Sequence, residues 1–103
     1  MNNYESLIDA LTDLKIRGYK KTFRREQIFL CCIELDLWIA PYQFNVDEFY
    51  QFDANISPEA ERVVYAIATD TGIKGILVDE CGVYSEYMSA EMTLKLQSPF
   101  FSR

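Results

Sequence analysis

The first regular pattern along the chain is helical. Tyr4, Leu7, Ile8, Leu11 and Leu14 recur at three- and four-residue spacing, which predicts an amphipathic helix over residues 4–17 with these side chains in one stripe. Glu5, Asp9, Asp13 and Lys15 take its polar side. Asn2 or Asn3 is placed to cap the first turn, where Glu5 suits the positive helix end. Arg17-Gly18 reads as a stop, with Gly18 at the left-handed C′ position and Tyr19 packing back on the last turn.

From Gln27 onward the pattern changes to that of strands. Ile28 to Ile33 is a short apolar run, too short for a helix and suited to a buried strand. Leu35-Asp36-Leu37 is a tight connection to a second strand, Trp38 to Tyr42, which Pro41 confines to an edge or to its end. A third extended segment covers roughly 46–53, with Val46, Glu48, Tyr50 and Phe52 on one face and Asp47, Phe49, Gln51 and Asp53 on the other. Neither face is cleanly apolar.

After the turn chemistry of Asn55 to Glu59 comes the clearest strand, Arg62 to Thr69. Val63, Tyr65 and Ile67 point one way; Val64, Ala66 and Ala68 point the other, and the alanines leave room for a helix. Asp70-Thr71-Gly72 is a hairpin turn and Lys74 to Val78 the next strand. Asp79 to Gly82 reads as another turn, Val83-Tyr84 as a short last strand, and Ser89 as the cap of a C-terminal helix that holds Met92, Leu94 and Leu96 and ends at Pro99. The expected fold is therefore α+β: an N-terminal helix, an antiparallel sheet of five or six strands and a short C-terminal helix. Connections of hairpin length leave no room for the crossovers of a doubly wound parallel sheet.

Length and composition narrow this further. The chain has 103 residues, half of them hydrophobic, which fits a single domain over 1–103 with one core. The N-terminus lacks the basic and apolar regions of a signal peptide, and no stretch approaches the ~20 apolar residues of a membrane helix. Cys31, Cys32 and Cys81 are odd in number and two are adjacent, a poor disulfide framework that reads as buried thiols in a reducing cytoplasm.

Charge and chemistry exclude more than they select. The net charge of −6 argues against a nucleic-acid partner. There is no His, so the commonest general base and metal ligand is missing, and Ser-His or Cys-His catalysis is ruled out. The carboxylates near turns form no metal-binding cluster, and no phosphate-loop motif is present; Ala68 to Gly75 is better read as a hairpin than as a ribose-phosphate loop. No metal or cofactor is expected, and no catalytic residue stands out.

Two features remain. Five of the ten basic residues lie between Arg17 and Arg25, and the stretch around Lys20, Lys21, Arg24 and Arg25 reads as a solvated helix-to-strand connection. With Lys74, the same residues are the candidates for binding a phosphorylated ligand, and they could also meet the acidic remainder of a second copy. The chain also carries seven Tyr, seven Phe and one Trp. A small core cannot enclose them all, so Trp38, Tyr42 and Tyr50 are the candidates for an interface. The expected function is a non-enzymatic, homodimeric interaction or regulatory module of the cytoplasm, with a protein partner as a further possibility; the alternative is a binder of a phosphorylated metabolite or nucleotide.

The stretches Tyr4 to Leu7, Asp13 to Tyr19, Phe49 to Asp53, Val64 to Ile67, Gly72 to Asp79, Gly82 to Tyr84 and Ser89 to Met92 resemble a family of small uncharacterised bacterial proteins of about this length. The resemblance covers most of the chain, and its motifs are structural. Some members carry the label phosphoribosylpyrophosphate synthetase, which would imply a site for nucleotide and ribose phosphate. The family carries no established site residues over to this chain.

Overall fold

A computed structural model describes residues 4–52, 62–80, 91, 92 and 94–96. The predicted Asn2/Asn3 cap, the turn at residues 55–59, the turn residues Cys81 and Gly82, the strand at Val83-Tyr84 and the Ser89 cap lie outside the described residues.

The N-terminal helix α1 spans Leu7–Ile16. It starts later than its apolar stripe suggests because Ser6 is the cap, its hydroxyl accepting the Asp9 N–H at 3.1 Å. Its end follows the sequence. Gly18 takes φ +112°, Tyr19 N–H donates to the Leu14 carbonyl at 3.0 Å, and Gly18 N–H donates to that of Lys15 at 3.2 Å. These are the paired bonds of a Schellman C-cap. Ala10 and Leu14 are buried, with Leu7 and Leu11 partly so; Ile8 is 72% exposed and lies outside the stripe.

Six strands follow: β1 (Lys21–Arg25), β2 (Leu30–Cys32), β3 (Leu37–Ile39), β4 (Phe44–Phe52), β5 (Arg62–Thr69) and β6 (Lys74–Glu80). They form one sheet in the order β3-β2-β1-β6-β5-β4. The sheet is mostly antiparallel, but β1 runs parallel to β6, so it is mixed. Two expectations are corrected here. The basic stretch is a central strand rather than a connection, and the sheet is not wholly antiparallel. Both have one cause: in β1 only Phe23 is buried, so the strand lacks a sustained apolar alternation.

Close packing holds the parallel pair together. Gly75 faces Lys21, and a Cβ there would lie 2.6 Å from the Lys21 carbonyl oxygen and 2.8 Å from the Phe23 ring. Only glycine fits without displacement.

In β4 the register against β5 shifts between Val46 and Glu48. Val46 pairs with Ile67 and packs in its cluster, whereas Glu48 pairs with Ala66 and Tyr50 with Val64 on the other face. The bulge at Asp47 thus moves Val46 off the face that holds Glu48, Tyr50 and Phe52. This is why strict alternation found no apolar face in the segment.

The sheet must also curl. Its edges β3 and β4 are joined by residues 40–43 alone. From Ile39 to Phe44 the chain reaches at most about 18 Å. Five interstrand gaps in a flat sheet would span about 24 Å. The concave side accordingly holds one cluster with residues from all six strands, including Phe23, Leu30, Cys32, Ile39, Phe44, Tyr65 and Leu77, into which Met92 and Leu96 of the C-terminal helix insert. On the convex side α1 packs over β5 and β6, with Leu14 against Tyr19, Tyr50, Val64, Ala66 and Ile76. The predicted split of β5 into Val63, Tyr65 and Ile67 against Val64 and Ala66 is the division between these two cores. Among the described residues no helix is long and apolar enough to cross a membrane.

Candidate interaction surface

The polar groups of the convex side concentrate where α1 ends against β4. Arg17 donates from Nη1 and Nη2 to the two Glu48 oxygens at 2.8 and 2.7 Å, from Nε to Asp13 at 3.2 Å, and from Nη2 to the Tyr4 hydroxyl at 3.2 Å. Tyr4 also donates to Asp13, and Tyr50 to Glu48. The Arg17 guanidinium, with the Tyr50 hydroxyl, holds the Glu48 carboxyl below the usual carboxylate range. Burial, reinforced by Glu48, raises the Tyr50 hydroxyl. Tyr19 donates to Asp47 at 2.8 Å, and Lys74 Nζ lies 4.5 Å from the centroid of the Tyr19 ring. These groups satisfy one another and clamp the helix end to the bulged strand.

The other half of the convex face is built by β1, β2 and β3. Register places Arg24, Cys31 and Trp38 side by side there, opposite the concave-facing Phe23, Cys32 and Ile39. Cys31 and Cys32 are therefore on opposite faces, as their adjacency predicts; both are buried and neither forms a disulfide. Trp38 is 69% exposed and stacks on Phe29, with ring centroids 4.4 Å apart and planes at 12°. Ile28, Ile33, Leu35 and Leu37 are exposed within the same stretch of chain. Beside the stack Arg24 Nε donates to Glu26 at 2.6 Å. The β2–β3 turn passes through Asp36 at φ +52°, a left-handed position that Asp tolerates.

The candidate residues separate clearly. Of the interface set, Trp38 and Tyr42 are exposed, the latter at 83%, whereas Tyr50 is buried beneath α1 with its ring edge-on to Tyr4. Tyr42 follows Pro41 in the 3₁₀ turn Pro41–Gln43 and lines an open apolar cavity of about 420 Å³ with Leu94 and Lys95. The basic set does not converge. Lys20 Nζ donates to the Lys15 carbonyl at 3.1 Å, Arg24 pairs with Glu26, and Lys74 covers Tyr19. Arg25 lies at the far end of β1, paired with Leu30. Lys21 lines a cavity beside Lys15. Phe29 was missed because it lies in the bend before β2, yet its nearness to the exposed Trp38 is what forms the stack. Among the described residues no group of three or more His, Cys, Asp or Glu is placed to hold a metal ion.

Comparison of the chain with protein-family models, with curated proteins and with solved structures found no match.

Proposed function

We propose that the protein is a non-enzymatic interaction module of the cytoplasm that pairs with a second copy of itself through the convex face of β1, β2 and β3. The observation that carries this reading is the Trp38–Phe29 stack, a large rigid aromatic surface left in water. Such surfaces are the usual anchors of protein interfaces.

The sheet edges favour face-to-face contact. β4 carries a bulge and the acids Asp47 and Glu48, and β3 has three residues and is followed by Pro41. Both are devices that discourage edge pairing. A second copy is favoured as the occupant because the patch holds a cation and an anion side by side, Arg24 and Glu26. Around a two-fold axis the same pair can be exchanged between copies.

Sedimentation velocity across a concentration series tests this. The wild-type chain is expected to shift toward the dimer mass, and Trp38→Ser to stay monomeric with an unchanged fold. A wild-type chain that remains monomeric throughout overturns self-association. A Trp38→Ser chain that still dimerises overturns the surface.

A further inference from the structure

A second feature of the convex face lies between α1, β1 and β6. It is an open cavity of about 230 Å³, with Leu11 and Lys15 of α1 on one side and Ile76 and Val78 of β6 beneath. An apolar cavity of roughly 150 Å³ already holds a benzene ring, so this one has room for an indole. Lys15 is exposed and, among the described residues, in no ion pair.

The strand register sets where this hollow lies relative to Trp38. Arg24 pairs with Cys31, and Cys31 with Trp38. Phe23 pairs with Leu77, and the next step of that parallel register puts Val78 beside Arg24. Val78, Arg24, Cys31 and Trp38 thus make one row across four strands. The hollow at one end and the aromatic knob at the other are three interstrand gaps apart, about 14 Å. Consider a two-fold axis in the plane between two facing copies, running along the strands between β1 and β2. It exchanges the ends of the row and carries each Trp38 over the Val78 of the other copy. The face is convex, so the space between the copies widens away from the axis. A side chain as long as that of Trp is what crosses it.

Charge follows the same rotation. The β2–β3 turn lies beside the start of β1, where the Thr22 carbonyl accepts the Ile33 N–H at 2.9 Å. Glu34 fixes the turn there, accepting the Thr22 N–H at 2.7 Å and the Thr22 hydroxyl at 2.8 Å. Lys15 and Lys20 sit at that same end of the sheet, with Lys20 Nζ on the Lys15 carbonyl at 3.1 Å. The two-fold axis moves the turn, with Glu34 and Asp36 exposed, toward these lysines of the other copy. Acids around the knob then meet bases around the hollow.

We propose that the cavity between α1, β1 and β6 is the seat of Trp38 from a second copy. This rests on self-association through the convex face and adds which residues receive the anchor. The indole lies against Leu11, Ile76 and Val78. One of its faces stays on Phe29, and the Lys15 ammonium covers the other. Two insertions, one in each direction, close the dimer and leave no seat for a third copy.

The test mixes isotope-labelled and unlabelled wild-type chains at a concentration where sedimentation gives the dimer. Isotope-filtered NOE spectra then read contacts between copies only. The Trp38 ring of one copy is expected to contact the Leu11, Ile76 and Val78 methyls of the other. Val78→Phe, which fills the hollow with the chain's own ring, is expected to raise the dimer dissociation constant about tenfold or more, as loss of an interface anchor does. A wild-type dimer whose Trp38 contacts only Trp38 or Phe29 of the other copy overturns the seat and leaves self-association standing. So does a Val78→Phe chain that keeps its fold and dimerises as the wild type does. A wild type that stays monomeric overturns self-association, and the seat with it.

Discussion

Arg17 and Glu48 meet through two parallel hydrogen bonds of 2.8 and 2.7 Å, joining the residue that closes α1 to the strand at the opposite edge of the sheet from β3. The pair is partly exposed, at 33% and 24% of the side chains. Exposed ion pairs contribute about 0.2–1 kcal/mol, and the bidentate geometry places this one near the upper end. Glu48→Gln is expected to cost about 1 kcal/mol at neutral pH in urea unfolding.

The same pair gives a pH dependence with a definite sign. Because the folded Glu48 carboxyl lies below its unfolded value, its contribution is present above about pH 4.3 and is lost as the pH falls through the lower folded value. The wild type is expected to lose more stability than Glu48→Gln between about pH 5 and pH 3. Equal losses in the two chains would show that Arg17 does not depress Glu48.

Tyr19 supplies the alkaline counterpart. Burial, and then its bond to Asp47, pushes its hydroxyl up to about 12. A raised value favours the folded state below the unfolded value of about 10, and that contribution is lost as the pH rises toward the folded one. Tyr19→Phe is expected to flatten the stability profile above about pH 10 while leaving the acid side unchanged. Unfolding midpoints measured on both sides of neutrality check this.

Gly75 is required by space. Its missing Cβ is what lets β1 approach β6 beside Lys21 and Phe23. Gly75→Ala is expected to cost about 1–3 kcal/mol, as overpacking does, and to speed hydrogen exchange selectively at β1 amides. A cost within the ordinary range of surface substitutions would contradict the close approach.

How far the fold was legible in the sequence follows from such local contacts. The Gly18 cap, the Asp70–Gly72 hairpin and the two faces of β5 were readable because each depends on neighbouring residues or on strict alternation. β1 was not, because Lys21, Arg24 and Arg25 masked a strand whose convex side α1 leaves exposed at Arg24. The Asp47 bulge broke the alternation of β4, and the curl of the sheet depends on joining its edges with a four-residue link, which no local pattern reports. For the candidate surface, aromatic surplus pointed correctly to exposure of Trp38 and Tyr42. It did not foresee that Tyr50 packs under α1, since burial of a Tyr depends on a partner, here Glu48, for its hydroxyl. The Thr22–Glu34 contact was hidden for the same reason that β1 was.

Cys31 offers a probe of the aromatic patch. It is buried on the face that carries Trp38, its cross-strand neighbour, while Cys32 lies in the concave core. In a Cys81→Ser background, both thiols are expected to react slowly with a thiol reagent. Trp38→Ala is expected to accelerate Cys31 selectively. Equal acceleration of both cysteines would indicate global loosening instead of an uncovered face.

Trp38 is the single tryptophan of the chain, so its emission reports on the proposed interface alone. The most direct measurement is its fluorescence over a dilution series, read beside the sedimentation mass at each concentration. Self-association through this face requires the emission to move from that of a water-exposed indole to that of a buried one as the mass rises from monomer to dimer. An indole that stays water-exposed while the mass doubles would contradict the assigned surface, and a mass that never rises would contradict the self-association itself.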